Sequence, residues 1–351
     1  MYAGEPAVSE AALRGALAAA PSLAERASAL GFLGNVLRTQ SRIVESIEAY
    51  EGCIAALREA GLADQVPKWL ANLASAWLER GERASAEAAY REALAGYPAT
   101  ERINAAITRE NLATLLGAQG AFAESIPLLR AAVAELDAIG SRRGAAAARA
   151  NLANHLLEVH RFEEAERFLL EALSAHRALG NTLGEATALR NLGDLRLRTG
   201  ALDAARTTLD EAAAACTERP ARQAGILAVR ACTALAAGDD DALAIARRAR
   251  EIACATGHPM ALAETAHALG RILLAAGPSE EGWALLREAT DALRASGDTI
   301  ELGRVLWTRA RHGDDAARAE VEAIAAALPA ECDLARAVRG PPPPDVTLEP
   351  W

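Results

Sequence analysis

The sequence predicts an all-α solenoid assembled from tandem helical hairpins, about seven to eight of them. Three observations lead there. The composition suits helices, a motif returns at intervals of about 40 residues, and glycines fall where the recurring segments end.

Apolar residues make up 51% of the chain but aromatics only 4%, so alanine carries most of the apolar load. Alanine is the best helix former and lets neighbouring helices approach closely. Val, Ile and Thr are sparse, and no stretch sustains the period-two alternation of a strand.

The motif is plainest in NLASAWLERG from Asn72, NLATLLGAQG from Asn111, NLANHLLEVH from Asn151 and NLGDLRLRTG from Asn191. These segments end at Gly81, Gly120, His160 and Gly200, where a hairpin turn is expected; His160 stands in for glycine. Weaker copies end near Gln40/Ser41, Gly238 and Gly277. A second helix follows each turn, with small residues at two fixed offsets: Ala86 and Ala93, Ser125 and Ala132, Ala165 and Ala172, Ala205 and Ala212, Gly282 and Ala289. A large apolar residue stands between them: Tyr90, Leu129, Leu169, Leu209 or Leu286, with Tyr50 in the first copy. The small residues let the two helices of a hairpin touch, and the large one fills the space between. Gly61, Gly140, Gly180, Gly257 and Gly297 close the second helices, and Pro98, Pro220 and Pro259 mark further boundaries. The copy before Gly238 fits least well, because Arg230 falls where an apolar residue belongs.

Read from Asn151 to Leu173, the pattern NLxNxxLxxxxxFxEAxxxLxxAL resembles the tetratricopeptide repeat. The resemblance spans roughly residues 22 to 297. The period is longer than that of the standard repeat, about 34 residues. It is similar to that of kinesin light chains, Pins-type polarity adaptors and the sensor arrays of bacterial regulators. The resemblance implies a right-handed superhelical solenoid. One hairpin cannot bury its own apolar face, so neighbours must stack and the ends must be capped. The expected organisation is an N-terminal tail and capping helix over 1–21, repeats over 22–297, a degenerate capping hairpin over 298–328 and a Pro-rich tail over 329–351. Ser9 is expected to start the first helix, and Ser22 with Glu25 forms a capping-box pattern at the next.

Six of the eight asparagines fall in two columns of the first helices: Asn72, Asn111, Asn151 and Asn191 in one, Asn35 and Asn154 three residues further on. Resemblance to the polarity adaptors and kinesin light chains implies that these columns line a concave groove. There an amide, with two donors and an acceptor, pairs with the backbone of an extended peptide. The same columns also belong to the repeat's own consensus, where they would bond to a neighbouring helix. Lys68, Glu110, Arg190, Asp194, His267 and Arg271 project from the same face by register and would set specificity. Their mixed signs leave the ligand charge open. Arg109 and Arg149 stand where the family prefers a large packing residue. Repeats that clamp a chaperone's C-terminal carboxylate carry cations where this chain has Gly31, Ile107 and Asn111, which argues against that partner.

The formal net charge of −10 argues against nucleic acid, whose phosphates require a basic surface. Five dispersed cysteines without CxxC spacing give neither a disulfide framework nor a zinc site. Cys53 falls at a small, packed position. No HExxH, Walker sequence or nucleophile motif occurs, and His155 and His160 are five apart, off the helical metal-pair spacing. No apolar run is long enough to span a membrane. The expectation is therefore a cytoplasmic, non-catalytic protein without metal or cofactor. It would grip a peptide or helix of a protein partner, or else serve as a sensory or oligomerising array, with a homo-oligomer among the possible forms. The tail from Gly340 to Trp351 holds four consecutive prolines that favour polyproline II, and Val346, Leu348 and Trp351 could dock on a surface.

Overall fold

The computed structural model describes residues 6–340. Val346, Leu348 and Trp351 lie outside the described residues. Contacts divide the chain between Leu115 and Leu116 into two compact units.

The first unit opens with α1 (Pro6–Ala19), α2 (Leu23–Thr39) and α3 (Ile43–Glu59). A 3₁₀ turn (Ala63–Gln65) leads into α4 (Val66–Glu79) and α5 (Arg83–Gly96), and α6 (Arg102–Ala118) runs across the division. The second unit holds α7 (Phe122–Ala138), α8 (Arg142–Glu158), α9 (Phe162–Ala178), α10 (Thr182–Arg198) and α11 (Leu202–Ala214). It continues with α12 (Pro220–Ala237), α13 (Ala242–Thr256), α14 (Pro259–Ala276), α15 (Glu280–Ser296), α16 (Thr299–Arg311), α17 (Asp315–Ala327) and α18 (Asp333–Arg339). No strand occurs among the described residues.

Local chemistry explains the boundaries. The first helix begins at Pro6, three residues before the expected Ser9, since proline suits a first turn whose N–H groups lack partners anyway. At α2, Ser22 Oγ accepts from the Glu25 N–H at 3.3 Å and donates to the Glu25 carboxylate at 3.1 Å, the cap that the sequence suggested. Pro220 and Pro259 each sit in the first turn of a helix. The hairpin turns at Gly81, Gly120 and Gly200 have φ of 88°, 80° and 77°. Ser41 and His160 hold the same left-handed region at 61° and 58°, where a side chain is strained. The C-terminal segment differs from a plain tail: α18 forms inside residues 329–351.

Helices pair in hairpins, α2 with α3 and α4 with α5 in the first unit, α8 with α9, α10 with α11, α12 with α13, α14 with α15 and α16 with α17 in the second. The expected small–large–small positions form the hairpin cores. Ala165, Leu169 and Ala172 are fully buried, as are Ala205, Leu209 and Ala212. Burying one such leucine contributes about 1.5–3 kcal/mol. A Cβ at Gly193 of α10 would stand 2.5 Å from Leu209 of α11, so glycine is what lets that leucine reach the facing backbone.

The poorly fitting Arg230 keeps its register in α12 by pairing. It is 6% exposed, and its Nε donates to Asp210 of α11 at 3.0 Å. A buried guanidinium is tolerable only with such a partner. Arg149 is likewise structural, held between Asp137 and Glu171 at 2.8 and 2.9 Å.

Candidate functional site

In the second unit α8, α10, α12 and α14 lie side by side, each touching the next. The last turn of α8 also meets α16, because Arg304 donates to Glu158 at 2.5 Å across 146 positions of sequence. The inner faces of these five helices enclose a cavity of about 140 Å³.

Six of the eleven residues expected in a groove meet at its wall: Asn154 of α8, Arg190, Asn191 and Asp194 of α10, and His267 and Arg271 of α14. They share it because positions four apart on one helix, and equivalent positions on neighbouring helices, face the same way. Asn191 is 6% exposed and faces the cavity. The Nε of Arg190 is buried without an acceptor among the described residues, while its Nη2 donates to Glu264 at 3.2 Å. Glu264 can come this close because Gly225 faces it: a Cβ there would stand 2.3 Å from the Glu264 carboxylate.

His267 and Arg271 do not project freely, as register alone suggested. They are 8% and 2% exposed, since α16 packs across them, and the His267 Nε2–H donates to the Thr308 hydroxyl at 3.0 Å. The Thr308 hydroxyl in turn donates to the Arg304 carbonyl at 3.2 Å, which sets the tautomer of the ring. Burial, aided by Arg271 and Arg304, pushes His267 down to about 3, so it is neutral at ordinary pH.

The remaining expected residues lie elsewhere. Asn151 is half-buried on α8, and Asn111 is half-buried on α6 in the first unit. Asn35 and Asn72 bond to each other, Asn72 Nδ2 donating to Asn35 Oδ1 at 3.3 Å, and Asn35 also accepts from the Tyr50 hydroxyl at 2.7 Å. At this pair the ladder stitches neighbouring helices. Lys68 is exposed, its ammonium 4.8 Å from the Trp69 ring and 5.9 Å from that of Phe32, at the edge of a first-unit cavity of about 360 Å³.

Pattern reasoning passed over several residues of the wall: Glu158, Arg198, Glu264, Glu301 and Arg304. Glu158 and Arg198 follow Asn151 and Asn191 by seven positions, so extending each inner stripe by two turns would have found them. Arg198 spans three carboxylates, its Nε on Asp194 at 3.1 Å, Nη2 on Glu158 at 3.0 Å and Nη1 on Asp333 of α18 at 3.0 Å. Burial by itself would raise the Glu158 carboxyl, but Arg304 and Arg198 outweigh it and hold the group at about 2. At Glu301 burial dominates over Arg304, and the carboxyl lies above the ordinary range. The wall thus carries both signs in near balance, four arginines against four carboxylates.

This arrangement offers charge and hydrogen-bonding groups. Cys232 on the wall has its thiol pushed up by burial, which disfavours the thiolate. Ser125 Oγ lies 2.9 Å from His155 Nδ1, but both are buried in packing between α7 and α8, and burial pushes His155 down to about 4. That pair is a core hydrogen bond. No group of three or more His, Cys, Asp or Glu placed to hold a metal occurs among the described residues, and no described helix is long and apolar enough to cross a membrane.

Comparison with known proteins agrees with the geometry. Models of the tetratricopeptide repeat match residues 68–97 and 144–218. The search of curated proteins returned no match. Among solved structures, the apo form of RapI superposes with a TM-score of 0.66 at 11% identity, over 77% of this chain and 98% of that one. The apo form of the quorum sensor NprR from B. thuringiensis gives 0.65 at 14%, over 82% and 83%. The Rap conjugation gene regulator of plasmid pLS20, in complex with the Phr* peptide, gives 0.62 at 13%, over 88% and 99%. At such identities the likeness establishes the fold. The repeat models thus match two stretches of the chain, and the helical hairpins continue beyond them through the described residues.

Proposed function

We propose that the protein is a peptide-binding repeat array, and that the cavity bounded by α8, α10, α12, α14 and α16 receives part of the peptide. One observation carries this reading. Asn191 lines the cavity between Arg190 and Asp194, and the buried Nε of Arg190 beside it has no hydrogen-bond partner among the described residues. A buried polar group without a partner costs about 1–3 kcal/mol; a peptide carbonyl would accept from that Nε, and the Asn191 amide can pair with the donor and acceptor of a peptide group. The volume, about 140 Å³, suits a side chain or one end of a peptide, with the remainder outside. The similarity to a solved regulator held in complex with the Phr* peptide supports the same ligand class.

Within this reading a sensory array is favoured over a passive adaptor. The cavity is ringed by ion pairs from Glu158 to Arg304, so a ligand of peptide size must rearrange that ring on entering. Fluorescent short peptides from a random library, titrated into the full chain, test the proposal. Asn191→Ala should weaken the best binder about tenfold, equivalent to about 1.4 kcal/mol, without lowering the melting temperature. Equal binding by wild type and variant would refute the site. Solution scattering then separates the two roles, since a sensor changes radius on binding and an adaptor does not.

A further inference from the structure

The segment that follows the last hairpin, residues 328–339, turns back onto the ends of earlier hairpins. Leu328 lies directly over the turn at Gly120, where a Cβ would stand 2.1 Å from its Cδ2. Leu334 is fully buried on α16, and a Cβ at Gly303 would stand 2.2 Å from it. Between these two anchors Asp333 is 6% exposed. Its Oδ1 lies 2.5 Å from His160 Nε2, and its Oδ2 accepts from Arg198 Nη1 at 3.0 Å.

His160 stands at the turn position that glycine fills at Gly81, Gly120 and Gly200, with φ of 58°. An L side chain is strained there. The turn needs no ring for its own hydrogen bonds, since His160 N–H donates to the Leu157 carbonyl much as Gly200 N–H donates to that of Leu197. What the ring adds is the bond to Asp333 and a contact with the Phe162 ring, centroids 4.9 Å apart. Arg198 shows the same aim from the other side: its remaining donors go to Asp194 and Glu158, both on the cavity wall.

We propose that Arg198 and His160 form a carboxylate-binding subsite at the rim of the cavity, that Asp333 is its intramolecular occupant, and that a ligand carboxylate taking its place releases residues 328–339 and opens the cavity. The segment suits this role. Its helix is two turns long, it belongs to no hairpin, and its ion pair with the cavity wall is that of Asp333 with Arg198, while Leu328, Cys332, Leu334 and Ala335 are buried beneath it. The release also acts on the wall directly, because α16 carries both the Leu334 seat and Arg304, the partner of Glu158. The subsite does not depend on which molecule fills the cavity and can fail while the peptide reading stands.

Cysteine alkylation of the full chain, mapped by mass spectrometry, tests it with residues already in place. Cys332 is fully buried beside Asp333 and reports release of the segment; Cys232 is 7% exposed on the cavity wall and reports opening. Cys254 is exposed and serves as the internal reference, while Cys216, 2% exposed in the hairpin core, reports loss of fold. Relative to Cys254, Asp333→Ala should speed labelling of Cys332 and Cys232 about tenfold or more with Cys216 still protected. Acetate, a free carboxylate, should speed labelling of Cys332 and Cys232 in the wild type where chloride at equal ionic strength does not, and should add nothing in Asp333→Ala. Leu334→Ala should open the cavity as well. Unchanged Cys232 labelling in Asp333→Ala, labelling of Cys216 in parallel with Cys232, or equal effects of acetate and chloride on the wild type would each overturn the proposal.

Discussion

Acidification from pH 7 to pH 5 should destabilise the second unit through His155 and His267, and replacing both should remove that loss. Each ring is buried and hydrogen-bonded in its neutral form, His155 to Ser125 and His267 to Thr308. Both bind a proton more weakly folded than unfolded. Their stabilisation is therefore complete above the unfolded value of 6.5 and is lost as the pH falls toward the folded values, about 4 for His155 and about 3 for His267. At pH 5 the unfolded value sets the limit, so each histidine removes about 2 kcal/mol, and the pair about 4 kcal/mol. That is a large share of the roughly 5–15 kcal/mol typical of a domain. Glu301 acts with the opposite sign, its raised carboxyl adding stability as the pH falls, but it is common to wild type and variants and cancels in their difference. The assay is urea unfolding followed by circular dichroism at several pH values between 7.5 and 5. It compares wild type with His155→Asn, His267→Asn and the double variant. The double variant should start less stable and fall less steeply, lacking about 4 kcal/mol of the wild-type loss. Parallel curves would refute the reasoning, parallel meaning a difference that varies across the range by less than about 0.5 kcal/mol, the scatter of independent mutational effects.

Three further outcomes are expected. Leu169→Ala should cost about 2–5 kcal/mol, because Leu169 is fully buried between Ala165 and Ala172 of its own helix; a cost under about 1 kcal/mol in urea unfolding would show that the hairpin closes over the gap. Arg230→Met should be neutral or stabilising, since Asp210 keeps 60% of its exposure and tolerates the loss, whereas Arg230→Ala should destabilise by leaving a void; similar losses for both by thermal denaturation would show that the ion pair matters more than packing. Glu158→Ala should cost about 3–5 kcal/mol, because it leaves Arg198 and Arg304 each without one buried partner; a melting temperature equal to wild type would contradict the geometry of the ring.

The sequence by itself determined the features that obey local rules. The period, the turn glycines and the alternation of small and large residues encode hairpins, because each depends on contacts within a few turns of chain or between consecutive helices. Ser22, Leu169 and Leu209 do in three dimensions what their types and spacing suggest. The inner face of α10 was legible for the same reason: Arg190, Asn191 and Asp194 belong to one stripe.

Only the tertiary structure decided what that face confronts. Four repeats bring Arg304 against Glu158, and the segment after the last hairpin brings Asp333 to His160 and Arg198 across 173 and 135 positions. No periodicity in the sequence encodes a contact at that separation. This is why His160 reads locally as a mere substitute for glycine, and why Asn35 and Asn72 look like groove residues although they bond to each other. Hairpin contacts repeat and leave a periodic trace, whereas the contacts that close the cavity occur once and are set by where the stacked repeats return in space.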